Sequence, residues 1–478
     1  MRKHIWFLCA SCLIAIILGL LTLSGSRTAF GIISLIFLAL LLGGMVYRFG
    51  LEKIDKYMLY FVVLSIPFPY LLQFSGRDAL TVTTIMIYFL FIITILRHLF
   101  ERKSLTMEPK FIFILPILIF TSMTVSLILN PSFMGQSIRY YIANISGILL
   151  YFIILATIRD HSDVRTVIKV ILFTLVVQSG IVLLVYKFPT ATEYLAVFSP
   201  RVPVSEVSVY EGMHRSIGTV WDYELLAEWF LVGSILSIGL FYHFKKNVYI
   251  FSLFCCLAGI IFTVTRSAFF LLIFGLALIL TLVNILKKDS KWSTIKIVLL
   301  LFLTCIILFG VFPKQIDSLT RRLEVYFRYS DLLSPEAINR GKIWQDAFRI
   351  FLREPTIFGK GLYNVSSLYY SADSFHSLYL TILYKIGILG LLIHLAFWLK
   401  MLFESWRILV AKNKNDNWYV LFFLFVSVIL ILIDGIKIEY LRYGHTIQFA
   451  WLIYGLLNIS IKQSRENNEN IMVSKTPV

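Results

Sequence analysis

His376 stands in Asp373-Ser374-Phe375-His376-Ser377-Leu378-Tyr379-Leu380, where a polar segment runs directly into an apolar one. An imidazole at such a boundary can serve as a general base near neutral pH, and the plainer alternative is an interfacial histidine at a helix start. Arg266, in Val264-Thr265-Arg266-Ser267, interrupts an otherwise apolar run from Val248 to Leu286. A basic residue in so tight and apolar a turn is costly unless paired, although an end-of-helix arginine can also snorkel to the surface. Together with Arg215 and Arg340 it could grip a diphosphate through forked, charge-assisted hydrogen bonds. Arg321, Arg322, Arg328, Arg349 and Arg353 offer the same group, and spacing does not choose among them. Among the carboxylates, Glu224 and Glu228 are four residues apart and share a helical face, while Asp434 sits near the end of another apolar run. Glu224 fits a charge that offsets a helix dipole and Glu228 fits it less well; Asp434 has Lys437 and Arg442 as simple partners. An ionisable residue at membrane depth is a functional candidate by default.

The elements that position these residues follow from composition. Of 478 residues, 59% are apolar and 15% charged, against roughly 25% charged in a soluble domain, which excludes a soluble globule. The apolar residues fall in runs of about 17 to 23, each long enough to cross a hydrocarbon core as a helix. The expected fold is an all-α polytopic membrane protein of about fourteen transmembrane helices. Their expected positions are 5–23, 29–46, 57–74, 80–96, 111–129, 140–158, 168–188, 224–243, 248–264, 268–286, 295–312, 377–399, 417–436 and 444–461. Residues 1–461 thus form one transmembrane domain, with a polar tail at 462–478 expected to be disordered. The formal charge of +17 would suggest nucleic acid in a soluble protein, but the basic residues punctuate the ends of apolar runs, and nucleic-acid binding is excluded on that ground. All five cysteines lie inside apolar runs, so neither a disulfide nor a metal site is expected. The first 23 residues lack a small-x-small cleavage signal and are expected to be a first transmembrane helix.

Alternate connections separate by charge. One set, with both termini, carries most of the Lys and Arg, whereas the five short connections opposite hold only Arg27, Arg77, Arg139, Arg266, Lys437 and Arg442. The positive-inside rule then places both termini in the cytoplasm. The two long connections, 189–223 and 313–376, fall on the outer side, the larger one before the twelfth helix, and are expected to be ordered and to cap a site. Within the larger loop, Lys342 to Leu352 puts Ile343, Trp344, Ala347, Phe348 and Phe351 on one helical face, with Glu354 and Pro355 stopping the helix. The same topology leaves His214, His376 and His445 on the outer side. His4, His98, His161 and His243 sit at cytoplasmic ends and His394 within a span.

Arg340, Trp344, Ala347, Pro355, Gly359, Gly361, His376, Tyr379, Leu380 and the stretch from Gly387 to Gly390 together resemble the C-terminal region of the O-antigen ligase and polymerase superfamily, which includes the Wzy-type polysaccharide polymerases. Arg266 resembles that family's Ser/Thr-Arg turn, and Arg215 with Gly218 its Arg-x-x-Gly segment; the resemblance covers about residues 210–395. Ser377 stands where the family often has Asn, and Thr265 replaces the commoner Ser.

The resemblance implies a metal-independent, cofactor-free glycosyltransferase in the bacterial cytoplasmic (inner) membrane, with its active site facing the periplasm or cell exterior. It would move an undecaprenyl-diphosphate-linked oligosaccharide or polysaccharide to a sugar hydroxyl. His376, Arg266 and Arg340 would be catalytic; Arg215, Trp344, Gly359 and Gly361 would bind substrate, and Glu228 and Asp434 are added as substrate-binding candidates only because they are ionisable residues at membrane depth. An O-antigen or capsular polysaccharide polymerase is the first reading, a ligase that attaches polymer to lipid A-core or protein the second, and a non-enzymatic glycan-lipid transporter the third. Membrane lipid, a chain-length regulator and a flippase are the partners such a system implies.

Overall fold

The computed structural model describes residues 51–68, 81–100, 111–131, 134–188, 209–210, 213–214, 218–220, 222–286, 335–362, 375–411 and 417–473, with isolated positions between 310 and 320. Among these residues twelve α-helices occur: α1 (Leu51–Ser65), α2 (Val82–Phe100), α3 (Phe111–Leu129), α4 (Met134–Thr157), α5 (His161–Lys187), α6 (Tyr223–Phe244), α7 (Asn247–Thr263), α8 (Arg266–Leu286), α9 (Pro335–Arg353), α10 (Leu378–Val410), α11 (Trp418–Asp434) and α12 (Gly444–Val473). A two-residue antiparallel ladder pairs Val209 with His214 and Tyr210 with Met213. Six helices (α3, α4, α5, α6, α8 and α10) are long and apolar enough to cross a membrane, and α7, α11 and most of α2 are shorter apolar helices.

The expected spans at 111–129, 224–243, 248–264 and 268–286 coincide with α3, α6, α7 and α8 to within two residues. Those at 5–23 and 29–46 and nearly all of 295–312 lie outside the described residues. Other expectations are corrected. Where a span was expected at 57–74 the helix is α1 at Leu51–Ser65, and the helices expected at 140–158 and 168–188 begin earlier, at Met134 and His161. Helix α10 continues past 399 to Val410, and the tail expected to be disordered from residue 462 instead prolongs α12 to Val473. Charge helps to hold both extensions, and α10 also buries Met401 and Leu409 there. Glu404 pairs with Lys400 at 2.9 Å and with Arg465 of α12, so the helices outlast their apolar runs.

Helix α6 forms the centre of the bundle, its apolar window almost wholly buried, whereas α3 and α8 keep most of theirs on the outside. Ile114, Ile117, Phe270, Ile273 and Phe274 on those outer helices face outward, which in lipid costs nothing because acyl chains are as apolar as the side chains. Gly259 of α7 lies flat against the Phe230 ring of α6, and Gly239 of α6 against Phe423 of α11; small residues here let the backbones approach. Buried polar cross-links add direction. Gln448 on α12 donates to Thr84 on α2 (3.1 Å) and to Ser146 on α4 (2.9 Å). The Tyr151 hydroxyl donates to the Ile112 carbonyl (2.7 Å) and accepts from Asn458 (3.1 Å).

Candidate active site at one end of the bundle

Helix α9, within the expected large loop, starts at Pro335, earlier than the periodicity alone suggested, and stops at Arg353 just before Pro355. A proline is well suited to open a helix, because its missing N–H would be unsatisfied in the first turn anyway. The expected apolar face is largely used. Ala347 is buried, Ile343, Trp344 and Phe351 are half-buried, and Phe348 departs from it, 51% exposed. Ala347 packs with Phe375 and Tyr384, flanked by Ile343 and Leu380, so α9 rests on the first turns of α10.

That contact fixes the approach to His376. The Trp344 indole donates to the Phe375 carbonyl at 2.8 Å, one residue before the histidine. On the other side, the Leu378 amide donates to the Gly435 carbonyl at 2.8 Å, and the Tyr379 hydroxyl to Leu432 at 2.7 Å. Between these clamps His376 is half-buried, with φ +48. A left-handed conformation in a residue with a Cβ costs about 1–2 kcal/mol and persists only when its surroundings impose it. His376 is thus two residues ahead of a membrane-length helix, as the sequence suggested, in a backbone set by α9 and α11.

After α9 the chain inserts into α10. Helix α10 is interrupted at Gly387 (φ +85, ψ −176), and residues 356–360 fill the gap. Lys360 N–H donates to the Tyr384 carbonyl (2.8 Å), while Ile388 and Leu389 N–H donate to the Thr356 and Ile357 carbonyls (3.3 and 3.2 Å). Ser126 of α3 donates to the Lys385 carbonyl (2.5 Å), and Asn130 to the Gly359 carbonyl (3.2 Å). Each backbone group named here that the break releases therefore has a partner, which a helix broken inside an apolar bundle requires. Gly359 (φ +79) and Gly387 face each other backbone to backbone: a Cβ on Gly359 would strike the Lys385 carbonyl, and one on Gly387 the Ile357 carbonyl. Gly361, at φ +104, is buried in the same segment. The two glycines expected to bind substrate therefore shape this joint. At the segment's exposed start, a hydrogen bond from Lys360 holds the Glu354 carboxyl below its usual range.

Arg266 is the first residue of α8 and is half-buried. The turn before it is tight because Val264 caps α7 in the left-handed region (φ +49), its N–H reaching the Ile261 carbonyl at 3.1 Å. The Thr265 hydroxyl is within 3.3 Å of both the Tyr223 and the Thr263 carbonyls. This ties the arginine's turn to the start of α6, where Asp222 caps the helix by accepting from the Glu224 and Leu225 amides (2.9 and 3.1 Å). One turn further into α6, Glu228 is 1% exposed, and neither carboxylate oxygen has a hydrogen-bond partner among the described residues. Asp434 and Lys437 are its charged neighbours. Asp434 takes the Lys437 ammonium at 2.9 Å and the Tyr440 hydroxyl at 3.5 Å, so of its two expected partners the lysine is present. Gly435, the partner of Leu378, follows Asp434 directly, which links this carboxylate region to the His376 backbone.

Of the residues singled out from sequence, His376, Trp344, Gly359 and Gly361 are brought together around the start of α10, and Glu228 with Asp434 beside it. Arg266 lies at the same end through the α6 start. Arg215 falls outside the described residues, as do Arg321, Arg322 and Arg328. Arg340 is in α9, but its side chain is outside them, so convergence of the three arginines is not described. Arg349 and Arg353 are exposed. His445 is buried, its ring edge-on to Trp229 at 5.9 Å and stacked on Tyr443 at 5.6 Å. Sequence reasoning missed Lys385, Glu439 and Tyr140, which meet beside the break in α10. The signal was present in Lys385, a charge in the middle of an expected span.

No curated protein sequence matches the chain as a relative. A family described as O-antigen ligase does match, over residues 251–395, a stretch that includes Arg266, α9, the inserted segment and His376. Residues 251–395 of this membrane protein are therefore similar to the O-antigen ligase family, a match that spans less than a third of the chain and supports a likeness to the O-antigen ligase and polymerase superfamily.

Proposed function

We propose that the protein transfers a polyprenyl-diphosphate-linked glycan to a sugar hydroxyl at the outer face of the cytoplasmic membrane, acting as an O-antigen or capsular polysaccharide polymerase. The observation that carries the reading is His376, held half-buried in a left-handed backbone between the Trp344 and Gly435 contacts, at the bundle end that also holds Arg266, Glu228 and Asp434. In this reading the imidazole takes the proton of the acceptor hydroxyl, whose oxygen attacks the anomeric carbon. The bond from that carbon to the diphosphate breaks, and the polyprenyl diphosphate leaves with the bonding electrons. Arg266, Arg340 and Arg215 stabilise the charge that grows on it, which is the part of the transition state a guanidinium can favour over the ground state. Glu228 and Asp434 bind hydroxyls of the glycan, and Trp344 acts by holding the histidine's backbone. The polyprenyl chain lies in lipid against the apolar outer helices, and no cofactor is needed for any of these steps.

The glycan of a deletion strain tests this. Single repeat units on the acceptor are expected. An acceptor with no glycan, alongside accumulated lipid-linked polymer, would instead identify a ligase, and loss of outward movement of the glycan-lipid in vesicles would identify a transporter.

A further inference from the structure

Lys385 is 2% exposed, at the point where α10 breaks. Its ammonium is 3.3 Å from Glu439, itself 4% exposed, and 3.6 Å from the centre of the Tyr140 ring. The three residues come from different places: Lys385 from α10, Tyr140 from α4, Glu439 from the connection between α11 and α12. A buried ammonium needs an opposite charge and gains further from an aromatic face. The backbone of the same lysine accepts from Ser126, and its carbonyl is what a Cβ on Gly359 would strike. One residue therefore ties the break in α10, the inserted segment 356–360 and the α11–α12 connection together. That connection also carries Gly435, which holds Leu378.

We propose that Lys385 and Glu439 are a positioning pair for the transfer reaction: their buried contact keeps the broken α10 and the inserted segment in register, and so keeps His376 in place two helical turns away. They act through the backbone and touch no substrate. The proposal rests on the function proposed above. A buried ion pair is a poor source of stability compared with packed apolar residues, so one retained at a helix break beside a catalytic candidate is better explained by the geometry it imposes.

Lys385→Met, Glu439→Gln and the reversed pair Lys385→Glu with Glu439→Lys test it in the purified full-length protein, with lipid-linked oligosaccharide as donor and acceptor. Each single variant is expected to lose about tenfold or more in kcat with KM within about threefold of wild type, and the reversed pair to recover at least about a third of the wild-type value. Tyr140→Leu removes only the ring; a drop of about threefold in kcat is expected, and this variant carries the test if the single variants do not fold. Hydrogen exchange at the Lys360, Ile388 and Leu389 amides should accelerate in the variants. Wild-type kcat in the folded variants, or unchanged exchange at those amides, overturns the proposal. A wild-type protein that transfers nothing contradicts the proposed function instead, while the exchange measurement still decides whether the pair holds the joint.

Discussion

At the end of the bundle remote from His376, carboxylates are met by basic side chains that keep some contact with solvent. Asp55 takes Arg97 at 2.5 Å, Asp163 takes Lys56, and Glu404 takes both Lys400 and Arg465. At the His376 end the carboxylates are buried to a similar degree but are less fully compensated. Glu228 has no hydrogen-bond partner among the described residues, and Glu439 offers one oxygen to the fully buried Lys385 and leaves the other without a hydrogen bond among those residues, whereas Asp434 pairs with a partly exposed Lys437 much as the remote carboxylates do. Burying charge without full compensation is costly, whereas paired charge near a surface is cheap. The first end is built for stability, and the second keeps costly charge in place, as a site that must recognise a polar ligand does.

Mutations can break or sharpen that contrast. The largest effect is expected for His376→Ala, which should remove polymer from cells while His214→Ala and His445→Ala leave most of it, as polysaccharide gels would show. Next comes Arg266→Lys, which keeps the charge and loses the forked geometry. Transfer should fall about tenfold, or ~1.4 kcal/mol, at normal expression, and an equal small effect in the Arg321→Lys control would return Arg266 to a snorkelling role. Glu228→Gln keeps the shape and removes the charge. We expect transfer to drop about fivefold, near 1 kcal/mol, with melting temperature unchanged or raised; a large loss of stability with normal turnover would make Glu228 a structural group. The smallest effect on activity belongs to Asp55→Asn at the remote end, which should cost roughly 1.5–3 kcal/mol of stability and leave transfer per folded molecule as in wild type.

How much of this was legible in the sequence depends on the range of the interaction. Helices α3, α6, α7 and α8 follow from hydropathy because lipid and core demand the same apolar surface. The ends of α10 and α12 did not, since Glu404, Lys400 and Arg465 prolong them through ion pairs that a hydropathy window reads as a stop. The position of His376 before a span and the helix around Trp344 were readable, as both are local patterns. The insertion of residues 356–360 into α10 was not. It depends on two glycines 28 positions apart meeting face to face, and nothing in either local sequence names the other. Glu439 was hidden for the same reason, because its partner Lys385 is 54 residues earlier in the chain.

In the proposed reaction His376 performs the proton transfer while other groups hold the donor. Purified His376→Ala protein, reconstituted with lipid-linked oligosaccharide and acceptor at pH values from about 5.5 to 8.5, separates the two roles, with donor binding and polymer length measured on the same sample. Donor binding close to wild type is expected, with no chain extension at any of these pH values. Polymer of wild-type length from the alanine protein would contradict it.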